Sequence, residues 1–166
     1  MTAPMVKIRK ARTPDVAQIL SIQRSAFQRY VGELRPEQIP PLHETAAEAR
    51  HDLRAKSFLV ADIGTIAGSV RYTIRGGVCH IERLSVMPAM QGQGIGKALL
   101  SAVEQKTAQR AHKLYLETGA LADNLIAFYT KLGFSVEARF CRHYGGFDWI
   151  AFSKFPERMT RSRKGH

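Results

Sequence analysis

Three glycines stand at alternate positions, Gly92, Gly94 and Gly96, between an apolar run typical of a strand and an apolar run typical of a helix. A turn without side chains at the start of a helix lets a phosphate touch several backbone N–H groups at once. A side chain at Gly94 or Gly96 would obstruct that approach, and the positive end of the helix dipole would add to the attraction. The stretch from Leu84 to Lys97 therefore predicts a site for a phosphate or a diphosphate.

Two well-known nucleotide motifs do not fit this stretch. A dinucleotide fingerprint needs Gly-x-Gly-x-x-Gly, and the frames that begin at Gly92 and Gly94 both end on a residue other than glycine. A P-loop needs Gly-Lys followed by Ser or Thr, and the residue after Lys97 is alanine. What remains is the pattern Gln91-x-x-Gly94-x-Gly96.

The elements that would position this turn form a mixed pattern. Apolar alternation predicts strands at about 6–12, 57–62, 66–74, 78–86, 113–118, 134–140 and 147–153. Helical periodicity predicts helices at about 13–30, 45–55, 94–111 and 123–132. Antiparallel neighbours beside one strand–helix–strand crossover predict an α/β fold with a mixed sheet in one layer. We expect a single domain over residues 1–156 and a flexible basic tail over residues 157–166.

The strand before the turn breaks its own alternation. Ile81 and Leu84 are both apolar at a spacing of three, while Leu84 and Val86 share the parity of His80 and Glu82. A β-bulge, which inserts one extra residue, would switch the face on which the later side chains lie. We therefore predict a bulge within this strand.

The composition fits one globular domain. The 166 residues are 45% hydrophobic and 23% charged, enough for a sizeable core. Cys79 and Cys141 are too few for a disulfide scaffold and lack metal-ligand spacing, which favours a reducing compartment and predicts no metal site. No signal-peptide block begins the chain, and no run reaches the ~20 apolar residues of a membrane span. We expect a cytoplasmic protein that does not bind membranes.

The formal net charge of +11 raises the question of nucleic acid. The basic residues are scattered, however, and no basic stripe interleaved with aromatic residues is present, as a binder of single strands would need. A general attraction for anionic ligands is favoured over a nucleic-acid partner.

Taken together, these residues resemble the GCN5-related N-acetyltransferase (GNAT) family. The matching positions are Leu84-Ser85-Val86, Pro88, Gln91-x-x-Gly94-x-Gly96, Ala127-Phe128-Tyr129 and Leu132-Gly133-Phe134. The order of elements agrees over about residues 5–154. The resemblance implies a mostly antiparallel sheet of about seven strands with helices on both faces. It also implies an acyltransferase that moves an acetyl group from acetyl-CoA directly to an amine, and it allows a homodimer.

The resemblance divides the acetyl-CoA site between two parts of the stretch. The diphosphate would be held by Gln91, Gly92, Gln93, Gly94, Ile95, Gly96 and Lys97. The pantetheine arm would pair with the backbone of Leu84, Ser85 and Val86, where the N–H of Val86 would polarise the thioester carbonyl. One departure stands out: the family's Asn seven residues before the tyrosine is Ala122 here, and Asn124 lies two residues too late. No cofactor contact is therefore transferred to Asn124.

Acetyl transfer needs a neutral amine, and deprotonating a lysine-like amine of pKa 10.4 costs about 4 to 5 kcal/mol at pH 7. Glu82 is the candidate base by resemblance; its alternative role is an ion pair with Arg83 or Arg71. His80 and a water chain are the other candidates. Tyr129 matches the family tyrosine that protonates the departing thiolate, and its alternative role is a core aromatic residue.

The acceptor stays open between a small-molecule amine and an amine of a protein or peptide. By resemblance, residues 27–42 with Tyr30, and the final hairpin with His143 and Tyr144, would border it. Cys79 lies on the same strand as Glu82 without a neighbour that would activate it as a nucleophile. Two other functions are considered: a non-catalytic CoA-binding regulatory module and, less favoured, a basic nucleic-acid-associated protein.

Overall fold

The computed structural model describes residues 5–120, 123–144 and 147–157. Seven strands form one sheet in the order β1-β2-β3-β4-β5-β7-β6. They are β1 (Lys7–Lys10), β2 (Ser57–Asp62), β3 (Ile66–Arg75), β4 (Val78–Val86), β5 (Lys113–Gly119), β6 (Ser135–Tyr144) and β7 (Phe147–Lys154). β4 and β5 pair in parallel, and the other neighbours are antiparallel. This confirms the predicted mixed sheet. Ala122, the loop at residues 145–146 and residues 158–166 lie outside the described residues.

Among the described residues, four α-helices cover the two faces of the sheet, as predicted: α1 (Val16–Phe27), α2 (Ala46–Ala55), α3 (Ile95–Thr107) and α4 (Asp123–Lys131). On one face, Ile19 and Ile22 of α1 pack on Phe58 and Val60 of β2. On the other face, α3 and α4 bury a larger apolar core whose members include Leu59, Val70, Ile81, Leu99, Leu116, Tyr129 and Phe152. The cleft described below lies between elements of both layers.

Two helices end earlier than the periodicity predicted. α1 stops at Phe27 and continues as a 3₁₀ turn over Gln28–Tyr30. α3 ends at Thr107, four residues before the predicted end. Residues 108–110 form a turn in which the Thr107 carbonyl accepts hydrogen bonds from the N–H groups of both Arg110 and Ala111.

The predicted bulge in β4 is confirmed. Ser69 pairs with Ser85 and Arg71 pairs with Glu82, so the single residue between them in β3 faces two residues of β4. Arg83, the first of those two, has φ of +56°. Beyond it Leu84 packs against the same core as Ile81, so the extra residue has moved the later side chains to the opposite face.

The parallel pairing of β4 with β5 ends where the bulge begins. The register runs from Val78–Lys113 to Ile81–Leu116, while β4 continues to Val86 beside β3 and β5 continues to Gly119 beside β7. The two strands therefore leave a gap in the middle of the sheet, and the end of β4 faces it with one edge.

Candidate functional site

A cleft of about 1900 Å³ opens at this gap in the sheet. Its walls come from the end of α1 with residues 29–41, the end of α2 with residues 54–57, the central strands β3 to β5, the turn at 90–97, α4, and Trp149 of β7. Of the predicted site residues, Glu82, Leu84, Ser85, Val86, Gln91, Gly92, Gly94, Ile95, Gly96, Lys97 and Tyr129 line it. Gln93 does not line it.

The turn before α3 leaves backbone donors available. Gly94 is the N-cap of α3 and offers no side-chain cap, and the first helical hydrogen bond is that of Ala98 N–H to the Gly94 carbonyl. The N–H groups of Ile95, Gly96 and Lys97 therefore precede the first bonded turn. A diphosphate fits this helix N-terminus for two reasons. Its oxygens can accept hydrogen bonds from the N–H groups that have no partner within the helix, and the positive end of the helix dipole attracts its charge.

The glycines of the turn meet two different demands of the fold. Gly92 and Gly94 have φ of +79° and +82°, and a Cβ on either would meet nothing within 4 Å. Gly96 has no such φ, but a Cβ there would lie 3.2 Å from Cζ of Phe128. The first two are needed for the left-handed backbone, and the third lets α4 approach α3.

The end of β4 presents its backbone to the cleft. Met87 N–H donates to the Ala67 carbonyl at 2.8 Å, toward β3. Because successive N–H groups of a strand point to opposite sides, that of Val86 points toward the gap. The Val86 carbonyl accepts a hydrogen bond from Nε2 of Gln91 at 3.2 Å. Gln91 therefore ties the turn to the strand.

Glu82 lies on the cleft with its side chain 43% exposed and forms an ion pair with Lys56. Lys56 also lies 3.2 Å from Asp52. Burial lowers the pKa of Lys56, but the hydrogen bonds and charges of Glu82 and Asp52 more than offset this, so the pKa is raised overall. The ion pair foreseen for Glu82 exists, but its partner is Lys56 instead of Arg83 or Arg71.

Arg71 is occupied elsewhere, in a buried charge cluster under α1 and α2. It donates to both carboxylate oxygens of Glu44, at 2.5 and 2.7 Å, and to Asp52 at 3.0 Å. Gln23 donates to Glu44 at 2.9 Å and to the Pro41 carbonyl at 2.9 Å. Burial raises the pKa of Glu44, but the hydrogen bonds from Arg71 and Gln23 hold it below its usual value. The cluster fixes the loop before α2, which forms one wall of the cleft.

His80 lines the cleft beside Tyr115 of β5, with ring centroids 5.6 Å apart. Burial, with the positive charge of Arg75, lowers the pKa of His80. The imidazole is therefore largely neutral at pH 7 and can accept a proton, although its affinity for one is reduced.

Glu117 of β5 is a cleft carboxylate that the sequence did not single out. The last pair of the β4–β5 register is Ile81 with Leu116, and Glu82 and Glu117 are the next residues of the two strands. It accepts a hydrogen bond from the Tyr115 hydroxyl at 2.7 Å. Only the parallel register reveals this arrangement, since the two glutamates lie 35 positions apart in the chain (117 − 82).

Tyr129 is a core aromatic residue that also lines the cleft. Its ring is buried against Phe134 and Phe152, with centroids 5.8 and 5.0 Å away, and the residue lines the cleft. Burial raises the pKa of the phenol, so it holds its proton at neutral pH. A phenol that stays protonated at the cleft can donate to a departing anion.

The remaining candidates of the sequence analysis differ in whether they reach the cleft. Cys79 is buried, and burial raises the pKa of its thiol to about 11, so it is not an activated nucleophile. Asn124 is exposed and lines the cleft, as does Tyr30, whose hydroxyl accepts from Arg29 at 2.8 Å. The side chains of His143 and Tyr144 lie outside what the structure describes.

Within the described residues, no three His, Cys, Asp or Glu side chains gather as metal ligands would. In the same part of the chain, no helix has the length and apolar character needed to cross a bilayer.

Comparison with known proteins points in one direction. The model of the acetyltransferase (GNAT) family matches residues 16–134. An IAA acetyltransferase of Azospirillum brasilense is 34% identical over 113 residues, which cover 66% of this chain and 72% of that protein. An N-alpha-acetyltransferase of Sulfurisphaera tokodaii is 30% identical over 152 residues, which cover 83% and 84%.

Solved structures show the same fold. The PaiA N-acetyltransferase from Thermoplasma acidophilum, in complex with coenzyme A, aligns with a TM-score of 0.79 at 21% identity over 92% of this chain and 99% of that one. The ribosomal-protein-S18-alanine N-acetyltransferase from Escherichia coli aligns with a TM-score of 0.74 at 19% identity over 98% and 99%.

Proposed function

The chain belongs to the acetyltransferase (GNAT) family and is an acyltransferase, and on that premise we propose that it moves an acetyl group from acetyl-CoA directly to a primary amine. The observation that supports this most is one cleft shared by two sets of residues. Residues 84–86 and 94–97, whose backbone would bind the donor, line it together with Glu82 and Tyr129, whose side chains would handle the protons. Direct transfer is favoured because the cysteine on β4, Cys79, is buried and protonated.

The donor half of the cleft comprises residues 84–97. Acetyl-CoA supplies the acetyl group as a thioester. The N–H groups of Ile95, Gly96 and Lys97 would bind its diphosphate, with the Lys97 ammonium adding positive charge. The N–H of Val86, which points to the gap in the sheet, would donate to the thioester carbonyl as charge develops on it; one such donor is worth about 10² to 10³ in rate.

The proton steps fall to side chains on both sides of the gap. Glu82 would take the proton of the incoming amine, and Glu117 is the second carboxylate within the same opening. Tyr129 would return a proton to the departing thiolate. With a thiol pKa near 8.5, that thiolate is already a tolerable leaving group, so the acid contributes less than the base.

The direct test measures free thiol and acetylated product after incubation with acetyl-CoA and a broad panel of primary amines. Calorimetric titration with CoA is run on the same preparation. Amine-dependent thiol release with a matching mass increase of 42 Da, about one acetyl group, supports transfer. CoA binding without turnover on any amine would instead support the non-catalytic regulatory module.

A further inference from the structure

The left-handed residue of the β4 bulge carries a buried cation with a spare donor. Arg83 has φ of +56°, a conformation that is uncommon for a residue with a Cβ. Its Nη1 is buried and meets no hydrogen-bond acceptor among the described residues. Burial lowers the pKa of this guanidinium, and the charge of Glu44 opposes that effect. Both the left-handed backbone and the unpaired donor are unfavourable, and such features are concentrated at functional sites.

The carboxylates around Arg83 are already committed to other cations. Glu44 holds Arg71 with both oxygens, and Glu82 holds Lys56. Asp52 is shared by Arg71 and Lys56, at 3.0 and 3.2 Å. Arg83 also lines a smaller pocket beside Glu44 and Asp52, but these two carboxylates are bound to Arg71 and Lys56. Among the described residues, Nη1 of Arg83 is therefore left for a group that enters the cleft.

The position of Arg83 points to the acceptor. Arg83 lines the cleft and stands between Glu82, the proposed base, and Leu84, the first residue of the strand proposed for the thioester. The charge of Glu82 acts on the Arg83 guanidinium, so a group bound by Arg83 would lie near the proposed base and the amine that reacts. We propose that Arg83 binds a carboxylate of the acceptor, so that the acceptor is an amino acid or another amine that carries a carboxylate close to its nitrogen.

The charge of the cleft agrees with an anionic acceptor. Its walls carry six basic side chains, Arg29, Arg54, Lys56, Arg75, Arg83 and Lys97, against the carboxylates of Glu82 and Glu117. Lys97 belongs to the donor half, and the other five lie outside it. A guanidinium is also the group best matched to a carboxylate, because its planar donors can meet both oxygens.

This inference rests on the proposed function, because it names the acceptor of the same site. The probes are matched pairs: four α-amino acids with different side chains, and the α-amide of each, which keeps the amine and loses the carboxylate. Thiol release is measured with the wild type, Arg83→Gln, Arg83→Lys and the control Arg139→Gln. Arg139 is an exposed arginine of β6 that does not line the cleft.

We expect the wild type to prefer the acids over their amides at least tenfold in kcat/KM, after correction for the neutral fraction of each amine. Arg83→Gln should raise KM for the acids about tenfold or more and change KM for the amides less than twofold. Arg83→Lys should recover part of the loss, and Arg139→Gln should match the wild type.

Several results would overturn the inference. If Arg83→Gln changes KM for the acids and KM for the amides by the same factor, Arg83 has a structural role or binds a neutral oxygen. If the wild type itself shows no preference for the acids, the inference fails even if the variant does not fold. If the wild type acetylates carboxylate-free amines but not the acids, the inference fails while the proposed function stands. Absence of turnover on every amine would contradict both the inference about Arg83 and the proposed function.

Discussion

Glu82→Gln isolates the step that removes the proton from the amine. At pH 7 an amine of pKa 10.4 pays about 4 to 5 kcal/mol to become neutral. A positioned base commonly contributes 10² to 10⁴ in rate. We expect kcat to fall about 10²-fold or more, with KM for acetyl-CoA nearly unchanged, because Glu82 lies outside the 84–97 half of the cleft.

The environment of Glu82 separates this loss from unfolding. Its partner Lys56 is 27% exposed and Glu82 itself is 43% exposed, so solvent screens the ion pair. Exposed pairs of this kind contribute about 0 to 1 kcal/mol to stability. The variant should therefore unfold within about 1 kcal/mol of the wild type in urea, too small a change to explain a hundredfold loss of rate.

The assay is initial thiol release between pH 6 and pH 10 with saturating acetyl-CoA. In the variant the rate should rise about tenfold per pH unit, because only amine that is already neutral can react. The rate of the wild type should exceed that of the variant most at low pH, and the two rates should converge as the pH approaches the pKa of the amine. Glu137→Gln is the matched control, since Glu137 pairs with Lys113 and does not line the cleft.

If the rate of the Glu82→Gln variant stays within threefold of the wild-type rate between pH 6 and pH 10, Glu82 is not the base. If Glu117→Gln then showed the loss and the steep pH dependence, the base would be the β5 carboxylate. If neither variant lost activity, the proton would leave through water or His80.

Three other substitutions test neighbouring parts of the site and the fold. Tyr129→Phe should lower kcat about tenfold with acetyl-CoA KM unchanged, because the ring packing stays and only the proton donor is lost; steady-state kinetics show this. Gly94→Ala, at φ of +82°, should cost about 1 to 2 kcal/mol of stability by thermal unfolding and weaken CoA binding by calorimetry. Arg71→Met should cost about 3 to 5 kcal/mol in urea, because Glu44 stays buried without its cation. Since the folded pKa of Glu44 is lowered, the stability from this pair should be present above its usual pKa and be lost as the pH falls through the folded value; Arg71→Met should flatten that acid limb.

The strand pattern was readable from local sequence because burial leaves a local mark: β2 and β3 are buried on both faces and their buried parts are mostly apolar, whereas β4 and β5 alternate. The bulge is the best example: two apolar residues at a spacing of three, Ile81 and Leu84, can share one core only if an extra residue intervenes. Which residue takes the left-handed conformation was not readable, because Arg83 has no intrinsic preference for it.

The partners of the site residues could not be predicted, since they depend on tertiary packing. Lys56 reaches Glu82 across 26 positions, and Arg71 reaches Glu44 across 27. The sequence offered Arg83 and Arg71 as neighbouring partners, yet neither forms an ion pair with Glu82 among the described residues, although Arg71 lies opposite Glu82 in the strand register. Proximity in sequence is a poor guide to ion pairs on a strand, where adjacent side chains point to opposite faces.

The bulge and the end of the β4–β5 register depend on each other. If β4 kept its alternation beyond Glu82, Leu84 and Val86 would lie on the polar face, and the N–H of Val86 would point toward β3 instead of the gap. With the extra residue, the apolar side chains stay in the core while the backbone edge is left open to the cleft. The same residue, Arg83, supplies the extra position and places a cation at the opening. Under the proposed function, the glycine turn would hold the diphosphate, and the opening beside the bulge would take the thioester and the amine.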